Sequence, residues 1–190
     1  AFDLAPGARR FRPGHLTVGS PGGATIQRGS TATGTAFDDL CPAGSALVGV
    51  QVATTAGTAL SRLGAICAPL TPSGADGGTV GDDNSLPIRG LGAEVLTILH
   101  CPSNSVVVGF TGRSSALIDQ LALTCAPVTV STAGVVGVGT TTTTVAVGGT
   151  GGSAFAPTAC GGSLVANGVN IRAGDDVDAL GLTCGTASFG

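Results

Sequence analysis

The chain has 190 residues, 33 of them Gly and only 10% charged, with a net charge of −3 and no Lys, Met, Trp or Tyr. Its only basic cluster is Arg9, Arg10 and Arg12, too few cations to track phosphates and without the aromatic platforms of a single-strand binder, which excludes nucleic acid as a partner. No run of about 20 apolar residues is present to cross a membrane as a helix. With 43% apolar residues and a mean hydropathy of +0.47, the chain folds, and its Val, Ile and Thr punctuated by Gly favour strands over helices.

In chain order, residues 1–16 come first and have no counterpart later. They combine Phe2, Leu4 and Phe11 with Arg9, Arg10 and Arg12, between Pro6 and Pro13. A terminal segment frays unless something holds it. We read it as an assembly arm that docks on its own domain or on a neighbouring copy. An extended arm can add to an exposed sheet edge, and a contact reaching forward to the next copy propagates as a filament. Ala1 is read as the first residue of a mature, secreted chain.

A single domain is expected over 17–190, built from repeats at about 17–74, 75–133 and 134–190. The marker is cysteine. Cys41, Cys101 and Cys160 recur at intervals of 60 and 59, and Cys67, Cys125 and Cys184 follow them by 26, 24 and 24. Six cysteines allow 15 pairings, but equivalent units form equivalent bonds. The predicted disulfides are therefore Cys41–Cys67, Cys101–Cys125 and Cys160–Cys184, each worth about 3 kcal/mol in the chain-entropy model. They place the protein in an oxidising compartment, secreted or at a cell surface. Zinc is a poor alternative, because there is no C-x-x-C and His15 and His100 are the only histidines.

Each unit opens with a Gly/Thr-rich lead-in, at 17–40, 75–100 and 134–159. The segments C-P-A-G-S-A-L-V-G-V from Cys41, C-P-S-N-S-V-V-V-G-F from Cys101 and C-G-G-S-L-V-A-N-G-V from Cys160 then share a glycine, at Gly49, Gly109 and Gly168. The units close on strands in which Leu121, Leu123 and Cys125, or Leu180, Leu182 and Cys184, alternate onto one face. If the lead-in supplies two more strands, each unit becomes a four-stranded sheet. Three such sheets hide their apolar faces only against one another, as a three-sided prism.

The pattern C-P-x-G-x-x-x-x-G followed by D-x-L-x-L-x-C, kept in part by each of the three units, resembles vitelline membrane outer layer protein I and its bacterial relatives. The resemblance covers residues 17–187, and part of that family's G-D-[DN]-T-A-L stretch stands here as Gly174 to Leu180. It implies an all-β type I β-prism of three Greek-key-like four-stranded sheets, pseudo-threefold symmetry, secretion and one disulfide per repeat. Ser61 stands in the first unit where the others carry Asp119 and Asp178.

Acidic pairs are the natural place to look for chemistry. Asp38/Asp39, Asp82/Asp83 and Asp175/Asp176/Asp178 all read as turn acids that satisfy local amides. Without a sugar subsite or a histidine in a nucleophile motif, we expect no enzyme and no cofactor. Asp82, Asp83 and Asn84, with Asp175, Asp176 and Asp178, remain candidate glycan or ion loops, although neither stretch fits a calcium-loop spacing. Arg113 with Asp119 and Arg172 with Asp178 repeat at one spacing, as a brace for the hairpin turn or as a repeated binding site. No usable N-x-[S/T] sequon occurs, and the Thr140–Thr144 run could carry O-linked sugar. The reading from sequence is a secreted structural protein that self-assembles into a filament or surface layer. The alternative is a lectin-like carbohydrate-binding module.

Overall fold

The computed structural model describes residues 16–73, 77–130 and 136–189. Most of the N-terminal arm, from Ala1 to His15, lies outside them. Among the described residues all regular structure is β. The first lead-in forms β1 (Leu16–Ala24), β2 (Arg28–Gly29) and β3 (Thr35–Leu40), and the first hairpin forms β4 (Ser45–Thr55) and β5 (Ala59–Ser73). The second lead-in forms β6 (Gly77–Val80), β7 (Asn84–Ser85) and β8 (Thr97–His100), ahead of hairpin β9 (Ser105–Ser114) and β10 (Ile118–Val130). The third forms β11 (Val136–Val138), β12 (Thr142–Thr143), β13 (Val147–Gly148) and β14 (Ser153–Ala159), ahead of β15 (Leu164–Ala173) and β16 (Val177–Phe189).

These strands make the three sheets of a β-prism, but sheets and sequence repeats are out of phase. Each lead-in covers the hairpin before it. In sheet 1 the hairpin β4–β5 is flanked by β6 and β7 along β5 and by β8 along β4. In sheet 2 the hairpin β9–β10 is flanked by β11, β12 and β13 along β10 and by β14 along β9. Sheet 3 is completed across the chain. Its hairpin β15–β16 is completed by the first lead-in, with β1 and β2 along β16 and β3 along β15. Each sheet is thus a Greek key, three antiparallel neighbours and a fourth segment returning beside the first. The phase follows from chain continuity. A strand leaving a hairpin pairs with its immediate neighbour before it can reach the next hairpin. β6 also touches β10, at Thr129 and Gly77, so sheets 1 and 2 merge at one end.

All three predicted disulfides are formed, with Cα–Cα distances of 5.5–5.6 Å. Their placement adds something that the repeat does not show. The first cysteine of each pair still hydrogen-bonds to the previous sheet: Cys41 N–H to Asn167 O, Cys101 N–H to Val48 O and Cys160 N–H to Val108 O. The second cysteine lies in the next sheet, on β5, β10 or β16. Each bridge therefore crosses from one sheet to its neighbour, and together the three close a covalent ring around the prism.

The core has two apolar layers, each fed by all three sheets. One holds Leu47, Val50, Leu63, Phe110, Leu121, Leu123, Ile171, Leu180 and Leu182 together with Cys101, Cys125, Cys160 and Cys184. The other holds Ala46, Val48, Ile66, Val106, Val108, Val128 and Val165. A one-residue bulge interrupts the first hairpin strand of every sheet, between Leu47 and Gly49, Val107 and Gly109, and Ala166 and Gly168. It reverses the alternation, so Leu47 before it and Val50 after it face the same layer, as do Val107 and Phe110. The repeated glycine follows each bulge because the flanking strand runs against it. A Cβ at Gly49, Gly109 or Gly168 would stand 2.6 Å from the backbone oxygen of Leu99, Thr158 or Asp39 respectively.

Candidate functional site

The hairpin turns of the three sheets lie at one end of the prism, beside the loops that follow Gly29, Gly90 and Gly148. Leu91 N–H donates to Asp175 O across this pole, joining the loop of sheet 1 to the hairpin of sheet 3. Within it two carboxylates occupy equivalent positions. Asp178 on β16 is only 9% exposed and accepts the Thr33 hydroxyl at 2.5 Å. Asp119 on β10 is 8% exposed and accepts the Ser115 hydroxyl at 3.0 Å.

Glycine loops close over both. Gly34 (φ +70°) lies against Asp178, while Gly151 and Gly152 (φ +58°) lie against Asp119, so close that a side chain at any of them would strike the carboxylate. Gly34 and Gly152 also need the left-handed backbone that glycine adopts without penalty. The arginines hold these loops in place. Arg172 donates from Nε to Thr33 O (2.8 Å) and from Nη2 to Gly34 O (2.9 Å). Arg113 does the same to Gly151 O (2.8 Å) and Gly152 O (2.7 Å). The repeated Arg–Asp spacing therefore yields a backbone brace rather than an ion pair, and the brace shapes a cradle around each aspartate.

The third position is built differently. Ser61 replaces the aspartate, and its hydroxyl meets Glu94 Oε2 at 3.1 Å, so the chain's single glutamate reaches from a loop to the place of the missing strand acid. Arg62 Nη2 donates to Glu94 O. Leu91 and Val95 of the same loop are exposed.

The sequence-predicted acids scatter. Asp175 and Asp176 lie in the hairpin turn, and Asp176 accepts the Thr55 hydroxyl at 3.3 Å. Asp178 departs from the expectation of a turn acid, because the period-2 register carries it onto β16 with its side chain turned under the loop. Asp38 and Asp39 are likewise strand residues, on β3, where Asp39 pairs with Arg89 across the seam between sheets 3 and 1. That hydrogen bond, partly opposed by desolvation, raises the Arg89 pKa above its usual value. Asp82, Asp83 and Asn84 sit away from the pole, on the outer edge of sheet 1, with Asp83 Oδ1 3.1 Å from His100 Nε2. The two candidate loops thus form no common site. Among the described residues no group of three His, Cys, Asp or Glu side chains is placed to hold a metal ion. Thr33, Gly34, Ser115, Gly151 and Gly152 escaped the sequence reading, since four of the five come from lead-ins and, Ser115 apart, they are far in sequence from the aspartates they meet.

No protein-family model matches the chain, and no curated protein matches it in sequence. Solved structures do. Malaysian banana lectin is similar over 86% of this chain and 97% of its own (TM-score 0.55, 14% identity). Frutapin, a lectin from Artocarpus incisa, matches over 88% and 99% (TM-score 0.58, 12% identity), and single-chain recombinant jacalin over 88% and 96% (TM-score 0.56, 14% identity). At this identity the likeness is one of fold, and the fold is the β-prism of jacalin-like lectins.

Proposed function

We propose that the chain is a secreted carbohydrate-binding module that reads sugar hydroxyls at the pole of the Asp178 and Asp119 cradles. The observation that carries this reading is the repeated, nearly buried carboxylate, held under a glycine loop and hydrogen-bonded to a hydroxyl. An ionised carboxylate accepts up to about four hydrogen bonds, so its acceptor capacity exceeds one hydroxyl. Vicinal sugar hydroxyls supply donors of this kind at the rim of each cradle, where the glycine loops present backbone without side chains. The likeness to lectins supports the same reading by analogy of fold. The three disulfides suit an oxidising, extracellular setting. Kinship with vitelline membrane outer layer protein I rests on the cysteine-framed pattern alone. Nor do the acids at the pole suggest catalysis, since each is tied to a structural hydroxyl. The filament or surface layer draws less support, because the similar solved structures are lectins.

A glycan array on the intact protein, followed by calorimetry with the best sugar, tests the proposal. Reproducible binding to one sugar class is expected, weakened at least tenfold by Asp178→Asn or Asp119→Asn. A blank array, or binding that both variants leave unchanged, would overturn it.

A further inference from the structure

The three seams between sheets are not equivalent. At the seam of sheets 3 and 1, Arg89 forks onto Asp39 and lies 4.2 Å from the Phe37 ring centroid. At the seam of sheets 2 and 3, the equivalent Arg28 donates to Thr158 Oγ1 and Ala156 O and lies 5.2 Å from the Phe155 ring centroid. At the seam of sheets 1 and 2 the same position is Val147, which packs against the core. With no arginine stem across it, this seam opens into a cleft of about 260 Å³, walled by Ile98, His100 and Pro102 on one side and 142–145 on the other. Ile98 and Val145 are 63% and 79% exposed there, and Asp83, held by His100, stands at the rim beside Asp82.

We propose that this cleft receives the chain's own N-terminal segment, residues 2–12. In an extended strand Phe2 and Leu4 fall on one face, about 7 Å apart, which suits a narrow apolar slot presenting Ile98 and Val145. Charge agrees. The five arginines among the described residues are each committed within the prism, Arg28, Arg62, Arg89, Arg113 and Arg172. The remaining three are Arg9, Arg10 and Arg12, opposite in sign to the rim acids. Reach is ample, since 15 extended residues before β1 span about 50 Å against a radius of gyration of about 16 Å for a chain of this length. The cleft lies away from the glycan pole, so the two proposals stand or fall separately.

Photocrosslinking in the full-length protein tests the docking. Phe2→benzoylphenylalanine is irradiated and the products are mapped by mass spectrometry. Cross-links to 97–102 or 142–145 are expected, and Ile98→Asp or Val145→Asp lowers their yield at least tenfold while leaving the circular dichroism spectrum unchanged. A product of monomer mass puts the arm on its own prism, and one of dimer mass puts it on a second copy; both support the assignment. Absence of cross-links, cross-links elsewhere, or a yield indifferent to Val145→Asp overturns it.

Discussion

Two kinds of residue carry most of the specificity in this prism, the glycines after the bulges and the aspartates at the pole. Gly49, Gly109 and Gly168 have no Cβ because a neighbouring carbonyl occupies its place. Gly109→Ala therefore forces β14 away from β9. It is expected to cost about 1–3 kcal/mol, in the range of overpacking substitutions, and to lower Tm by several degrees in a calorimetric scan. Alanine at the exposed turn glycine Gly174, whose Cβ would meet nothing closer than 3.9 Å, serves as the control for propensity alone. Were Gly109→Ala no worse than that control, the close approach of β14 would not explain the repeated glycine.

Between elements, stability turns on how sheet edges meet. The Arg89–Asp39 clamp is partly screened on the arginine side, with side-chain exposures of 26% and 9%. Arg89→Met leaves Asp39 without its cation in a nearly buried position. It is expected to destabilise by about 1–3 kcal/mol, less than a fully buried pair for that reason. The double variant Asp39→Leu with Arg89→Met should recover much of the loss in a denaturant melt, because the penalty lies in the stranded charge. Equal losses in the single and the double variant would show that the arginine stem over Phe37, and not the charge, holds the seam. The raised Arg89 pKa has no bearing on ordinary pH. Stability from a cation with a raised folded-state pKa is present below its unfolded value and lost only as pH rises through the folded one, here far into the alkaline range.

At the scale of the whole molecule, the prism is a ring closed by its two ends. β1 runs antiparallel to β16, with Leu16 opposite Phe189, as β6 runs against β5 and β11 against β10. Joining residue 189 to residue 16 by a linker of about four Gly or Ser residues, and opening the chain between 73 and 77, should give a folded circular permutant. Its Tm is expected within about 5 °C of the parent, since such sites tolerate new termini. Failure to fold would show that closure of sheet 3 depends on the order in which the repeats are made. The disulfide ring predicts a further graded effect. Cys160→Ser with Cys184→Ser removes one sheet-to-sheet bond and about 3 kcal/mol, measured by guanidinium unfolding.

The sequence by itself determined the all-β class, the threefold repeat and the pairing of six cysteines. These are periodic features, and a period is visible in one dimension: Cys41, Cys101 and Cys160 share a register, and L-x-L-x-C alternates on one face of a strand. The tertiary structure decided which lead-in joins which hairpin, because pairing follows the path of the backbone and not the similarity of the segments. It therefore decided that the disulfides cross sheets. It also made cradles of Asp178 and Asp119, since Thr33 and Gly34 lie about 145 residues from Asp178 and no local pattern links them. Val147 reads in the sequence as one more strand valine. Only its place in the ring, where the other two seams carry arginine, turns it into an open cleft.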